Sequence, residues 1–80
     1  MLTYAISRSE TTCTVEAATH DSAALIIAKL LHGPQARVRR LTGSAGTDGR
    51  FQVYASLNDH IAMGPGFFVR LLTPTEGSNE

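Results

Sequence analysis

A single stretch, residues 21–32, carries the apolar spacing of an amphipathic helix, while the other patterned segments alternate with period two. One helix and several strands admit few arrangements. The helix must lay its apolar side on one face of a sheet, because neither element can hide that side alone. Ala23, Ile26, Ile27, Leu30 and Leu31 fall on one side of the helix, with Ala24 at its edge. Ser22, Lys29 and His32 lie opposite, together with one apolar misfit, Leu25. Thr19, Asp21 or Ser22 is placed to cap the start. Gly33-Pro34 ends the helix, since glycine accepts the left-handed closing conformation and proline cannot continue the ladder.

The alternation predicts five strands. Residues 2–7 set Leu2, Tyr4 and Ile6 against Thr3, Ala5 and Ser7. Residues 12–17 set Thr12, Thr14 and Glu16 against Cys13, Val15 and Ala17, with the polar residues 8–11 forming a loop of hairpin length. Residues 36–41 place Val38 inward and Arg37 and Arg39 outward. Residues 51–57 alternate Phe51, Val53, Ala55 and Leu57 with Gln52, Tyr54 and Ser56, and residues 67–72 put Phe67, Val69 and Leu71 on one side. The glycine-rich residues 42–49 read as a flexible hairpin loop, and residues 58–66, with Gly64-Pro65-Gly66, as an irregular link. The polar tail 73–80 has nothing to bury and is expected to be disordered. The expectation is therefore one α+β domain over residues 1–72: an antiparallel sheet of four to five strands, covered on one face by a single helix, in the order β-β-α-β-β-β.

Such a sheet leaves one face in water, and that face carries Thr12, Thr14, Glu16, Arg37, Arg39, Gln52, Tyr54, Phe68 and Arg70. Aromatics beside arginines are interface chemistry. Six of the seven cations are arginines, Lys29 being the exception, and the planar arginine fork suits contacts with carboxylates. The seven cations are balanced by seven acids, so the whole chain lacks the basic excess that draws proteins to nucleic acid without regard to sequence. The lone Cys13 forms no internal disulfide, which fits a reducing cytoplasm. The first residues have no secretory pattern, and no run reaches the ~20 apolar residues of a membrane span.

Catalytic constellations are weak. His20, His32, His60 and Cys13 are scattered without metal-ligand spacing, so no metal and no cofactor is expected. Cys13 with His20, or a serine with His60 and Asp59, can be written down as nucleophile and base, but no motif brings them together; Cys13 reads as a small inward hydrophobe. Gly43, Gly46 and Gly49 precede a strand and lack the lysine of a phosphate loop. The cluster Arg37-Val38-Arg39-Arg40 reads either as a contact with nucleic acid or an acidic protein, or as a charged strand edge that resists aggregation. An 80-residue layer of helix on sheet offers little room for a walled pocket, which favours binding over catalysis.

One resemblance runs in order along nearly the whole chain. Thr3-Tyr4-x-Ile6, Thr14-Val15-Glu16-Ala17 followed by Ala23-Ala24, Arg40-x-Thr42-Gly43, Gly49-x-Phe51-Gln52-x-Tyr54 and Gly64-x-x-Phe67-x-Val69 together resemble the phage-encoded anti-CRISPR proteins of the type I-E class. The stretch from Arg40 to Tyr54 is its most specific part. The resemblance implies a small non-enzymatic inhibitor, made in the cytoplasm of the infected host bacterium, that binds the RNA-guided Cascade complex and blocks interference. Gln52 and Tyr54 belong to the matching positions, whereas Arg37 and Arg39 do not clearly match. Combined with the outward face, this gives Arg37, Arg39, Gln52, Tyr54, Phe68 and Arg70 as partner-binding residues, with no direct nucleic-acid or membrane contact and a monomer or weak homodimer as the working form. The alternative is a nucleic-acid-binding or regulatory module built on Arg37, Arg39, Arg40 and Tyr54.

Overall fold

A computed structural model describes residues 1–54, 62 and 64–72. Its elements are β1 (Leu2–Arg8), β2 (Thr11–Ala17), α1 (His20–His32), β3 (Arg37–Arg40), β4 (Gly49–Tyr54) and β5 (Phe67–Leu71). The strands form one antiparallel five-stranded sheet in the order β2-β1-β5-β4-β3, and α1 packs on one face, so the α+β fold is the one the alternation predicts. The expected continuation of β4 through residue 57, residues 58–61 with Asp59 and His60, and the tail 73–80 lie outside the described residues.

The β1–β2 hairpin is longer than expected, with pairing that runs from Leu2↔Ala17 to Arg8↔Thr11 and leaves Ser9 and Glu10 as the turn. Thr19 is the helix cap: it is extended, its hydroxyl accepts the Ser22 N–H at 3.0 Å, and α1 begins one residue earlier than predicted, at His20. Gly33, at φ 103°, donates its N–H to Lys29 C=O at 2.9 Å and closes the helix.

The buried side of α1 differs from the expected one. His20, Ala23, Ala24, Ile27 and Ala28 are buried, whereas Leu30 is 75% exposed and Leu31 42% exposed. The reason is close packing. The sheet supplies the bulky side chains, Tyr4, Ile6, Phe51, Val53, Phe67 and Val69, all at most 1% exposed. A helix pressed against them must present small residues, and the alanine stripe does so. Cys13 is also misplaced by the alternation. It shares the helix-side face with Val15 and Ala17, but on the edge strand β2 the cover stops short of it, and it is exposed.

Phe51 and Phe67 are directly opposed across β4 and β5, with ring centroids 6.5 Å apart and planes inclined by 27°. Gly66, at φ 81°, is required there: a β-carbon would run into the carbonyl oxygen of Phe51. The glycine-rich loop predicted to be flexible is internally braced. Thr47 Oγ1 donates to Ser44 C=O at 2.6 Å, and Thr42 Oγ1 accepts the Arg50 N–H at 3.0 Å.

That loop also fastens the helix to the sheet. β4 begins at Gly49, which pairs with Val69 and leaves Leu71 without a β4 partner, and Asp48 Oδ1 accepts the Leu71 N–H at 2.9 Å in place of one. The same oxygen lies 2.8 Å from Nε2 of the buried His20, whose ring meets Tyr4 edge-on at 4.8 Å. The Leu71 amide first, and His20 second, hold the Asp48 carboxyl below its ordinary value of 3.8. A depressed folded-state value contributes stability that is present above that ordinary value and lost as pH falls through the folded one. Asp48→Asn is therefore expected to flatten the acid limb of the stability curve: urea midpoints at about pH 5 and about pH 2.5 converge in the variant relative to the parent. An equal drop in both proteins would contradict the strut.

Candidate functional site

The uncovered face of the sheet is set by register. Arg37 stands opposite Tyr54, and Arg39 opposite Gln52, on β3 and β4. Arg50 stands opposite Phe68 on β4 and β5, Phe68 continues to Ser7, and Arg70 pairs with Ala5 on β1. Because Phe51, Val53, Phe67 and Val69 point into the core, their alternating neighbours Arg50, Gln52, Tyr54, Phe68 and Arg70 point away from the helix. All six residues predicted to meet a partner thus lie on this one surface, spread over three adjacent strands, about 10 Å from β3 to β5.

Their states differ. Arg37, Arg39 and Arg70 are exposed, while Gln52, Tyr54 and Phe68 are half-buried. The Arg39 guanidinium sits 5.5 Å from the Tyr54 ring centroid, so the two act as one stacked unit. The Gln52 side-chain nitrogen donates to Gly64 C=O at 2.9 Å and to Val53 C=O at 3.3 Å, which commits it to bracing the turn before β5.

The cluster Arg37 to Arg40 divides across the sheet. Arg40 belongs to the helix side, where Nη2 pairs with Asp21 Oδ1 at 3.1 Å, Nη1 donates to Thr42 C=O at 3.1 Å, and the guanidinium covers the Phe51 ring at 4.7 Å. Its Nε is buried with no hydrogen-bond partner. Arg40 is thus a structural tie between α1 and β3. Its place on the open face is taken by Arg50, whose Nη2 donates to Pro65 C=O at 3.2 Å. The sequence reading began the strand at Phe51 and so missed it; carrying the two-residue alternation back from Gln52 would have found it.

Charge is therefore segregated despite the zero balance. Arg37, Arg39, Arg50 and Arg70 share the open face toward β3, β4 and β5. Of the four described acids, Asp21 and Asp48 are engaged by Arg40 and His20, and Glu10 and Glu16 lie on the far hairpin, β1–β2, in its turn and opposite Thr3. The face offers an acidic partner four arginines and two aromatics.

The paper pair of Cys13 with His20 does not form: Cys13 is exposed on the edge strand, and His20 is buried against Tyr4 and Asp48. Among the described residues no three His, Cys, Asp or Glu side chains gather as a metal site, and no helix is long and apolar enough to cross a membrane. The expectation of a sheet without a cleft fails in one place, a groove of about 740 Å³ between α1 and β3.

The division of the arginine cluster has a measurable consequence. Arg40→Ala is expected to cost about 1–2 kcal/mol in urea unfolding, through loss of the ring contact and the ion pair. Arg39→Ala on the open face is expected to stay within about 0.5 kcal/mol; equal costs would contradict the assignment. No protein-family model matches the chain, and no curated protein matches it.

Proposed function

We propose that this chain inhibits CRISPR–Cas immunity by binding the type I-E Cascade complex stoichiometrically, in the cytoplasm of the infected host, with the open sheet face as its contact surface. The observation that carries the reading is the gathering of Arg37, Arg39, Arg50 and Arg70 with Tyr54 and Phe68 on one uncovered face. The Cascade assignment comes from the resemblance over residues 3–72, whose most specific part, Arg40 to Tyr54, spans the last residue of β3, the loop after it and β4. Binding of this kind needs no bond-making step and no cofactor. The Arg39–Tyr54 stack is the natural anchor, being planar, amphipathic and held in place before contact. An acidic patch on a protein subunit is the complementary partner.

A nucleic-acid-binding module is the second reading, favoured by the same four arginines. Tyr54 and Phe68 lie on neighbouring strands but four residues apart in register, Arg50 being the residue opposite Phe68, a sparse arrangement for a base-stacking platform. The readings separate by salt. Phosphate contacts made by four arginines give a log–log affinity slope steeper than about −3 on duplex DNA, and a shape-specific protein contact gives a shallower one.

In binding to purified type I-E Cascade, Tyr54→Ala is expected to weaken affinity at least about tenfold, roughly 1.4 kcal/mol, with the far-ultraviolet dichroism of the folded domain retained. Unchanged affinity in the folded variant would remove this face from the contact.

A further inference from the structure

On the helix side of the sheet, α1 leaves part of β3 uncovered, with Val38 half-buried, and the groove of about 740 Å³ lies there. Phe51 and Val38 form its floor, Leu25 its helix wall, and Lys29 and Asp21 its two ends. The order of the ends follows from the chain. α1 and β3 are joined by the short link 33–36, so Lys29 near the helix end stands toward Ala36, and Asp21 at the helix start stands toward Arg40, its ion-pair partner. Leu25, the apolar misfit of the helix, is half-buried in the wall between them.

The groove runs along an open strand edge. β3 is the last strand of the sheet, and no strand among the described residues pairs with its outer side. Leu41 N–H donates to Arg50 C=O at 2.7 Å, which fixes the alternation of the β3–β4 ladder. Arg39–Gln52 and Arg37–Tyr54 are then the directly bonded pairs, and Val38 and Arg40 turn their N–H and C=O groups outward. The Ala36 N–H is already taken by Gly33 C=O at 3.1 Å. A free edge beside an apolar trough roofed by a helix is the geometry in which an extended segment is captured as an added strand.

Charge selects among occupants. A second copy pairing its β3 antiparallel about Val38 would set Arg37 against Arg39, a like-charge pair across strands. Lys29 has no ion pair among the described residues, whereas Asp21 at the other end is neutralised by Arg40. We infer that the α1–β3 groove binds an acidic extended peptide as a sixth strand: an apolar side chain opposite Val38 enters the trough against Leu25 and Val38, and an acidic side chain two residues away reaches Lys29. Main-chain bonds to Val38 and Arg40 supply the affinity, and the trough and Lys29 supply the selection.

The test uses the full chain and a capped, fluorescein-labelled nine-residue peptide with leucine at its centre, glutamate two residues to either side and threonine elsewhere. Polarisation is expected to show saturable binding, and the amide resonances of Val38 and Arg40 to shift in nitrogen–proton NMR spectra. Lys29→Glu, or replacement of the glutamates by lysine, is expected to weaken binding about tenfold, equivalent to ~1.4 kcal/mol. Val38→Pro removes an outward donor that the ladder does not use, so the fold tolerates it while peptide binding is lost. Tyr54→Ala, on the opposite face, leaves peptide affinity unchanged, which separates this site from the Cascade contact. Absence of saturable binding up to roughly 1 mM, shifts confined to the open face, or indifference to Lys29→Glu would overturn the inference. Concentration-dependent protection of the Val38 and Arg40 amides without peptide would assign the edge to a second copy, and would overturn it too.

Discussion

One helix cannot cover this sheet, and that shortfall shapes the rest of the molecule. At 13 residues α1 is about 20 Å long and about 10 Å wide, whereas five strands span about 19 Å edge to edge. The helix resolves the mismatch by going close, on an alanine stripe, to the centre of the bulky layer formed by Tyr4, Ile6, Phe67 and Val69. It thereby seals the core under β1 and β5, leaves Cys13 of β2 uncovered at one margin, and leaves a trough beside Val38 of β3 at the other. No described element covers the opposite face. Both candidate binding surfaces are thus consequences of covering a sheet with too little helix.

Two polar ties hold the helix in that position. His20 reaches Asp48, which in turn completes the β5 ladder at Leu71, and Asp21 reaches Arg40 on β3. Both begin in the first turn of α1 and end on residues flanking the loop between β3 and β4, so this loop is fastened to the helix from two sides. The arrangement also sorts charge. Arg40 pairs with Asp21 on the helix side, and the other arginines of β3, β4 and β5 stand on the opposite side of the sheet. A chain neutral in sum gathers four of its six arginines on one sheet face, so whole-chain charge is a poor guide to local surface chemistry.

Much of this was legible in the sequence. Period-two alternation located the five strands and divided Phe67 from Phe68 and Val53 from Tyr54 correctly, because side-chain direction in a strand has few alternatives. The helix and its Gly33-Pro34 stop were equally plain. The face of the helix was not. Leu30 and Leu31 outweigh Ala24 and Ala28 in any hydrophobic reading, yet clearance over the bulky sheet side chains selected the small residues. Cys13 was misjudged because alternation gives direction but not cover. His20–Asp48 joins residues 28 positions apart, and the groove depends on where the helix sits; neither has a local signature. Splitting Arg40 from Arg37 and Arg39 needed only the alternation rule, and Arg50 only its extension by one step.

On the function proposed above, the open face of β3, β4 and β5 is the surface that a complex with Cascade would hide. Side-chain oxidation by hydroxyl radicals, read residue by residue by mass spectrometry in the free chain and in a mixture with purified type I-E Cascade, tests it most directly. Tyr54 and Phe68 are expected to become protected in the complex while the exposed Leu30 on the helix keeps its free-chain rate. Unaltered oxidation of Tyr54 and Phe68, or protection confined to Leu30 and the helix side, would contradict it.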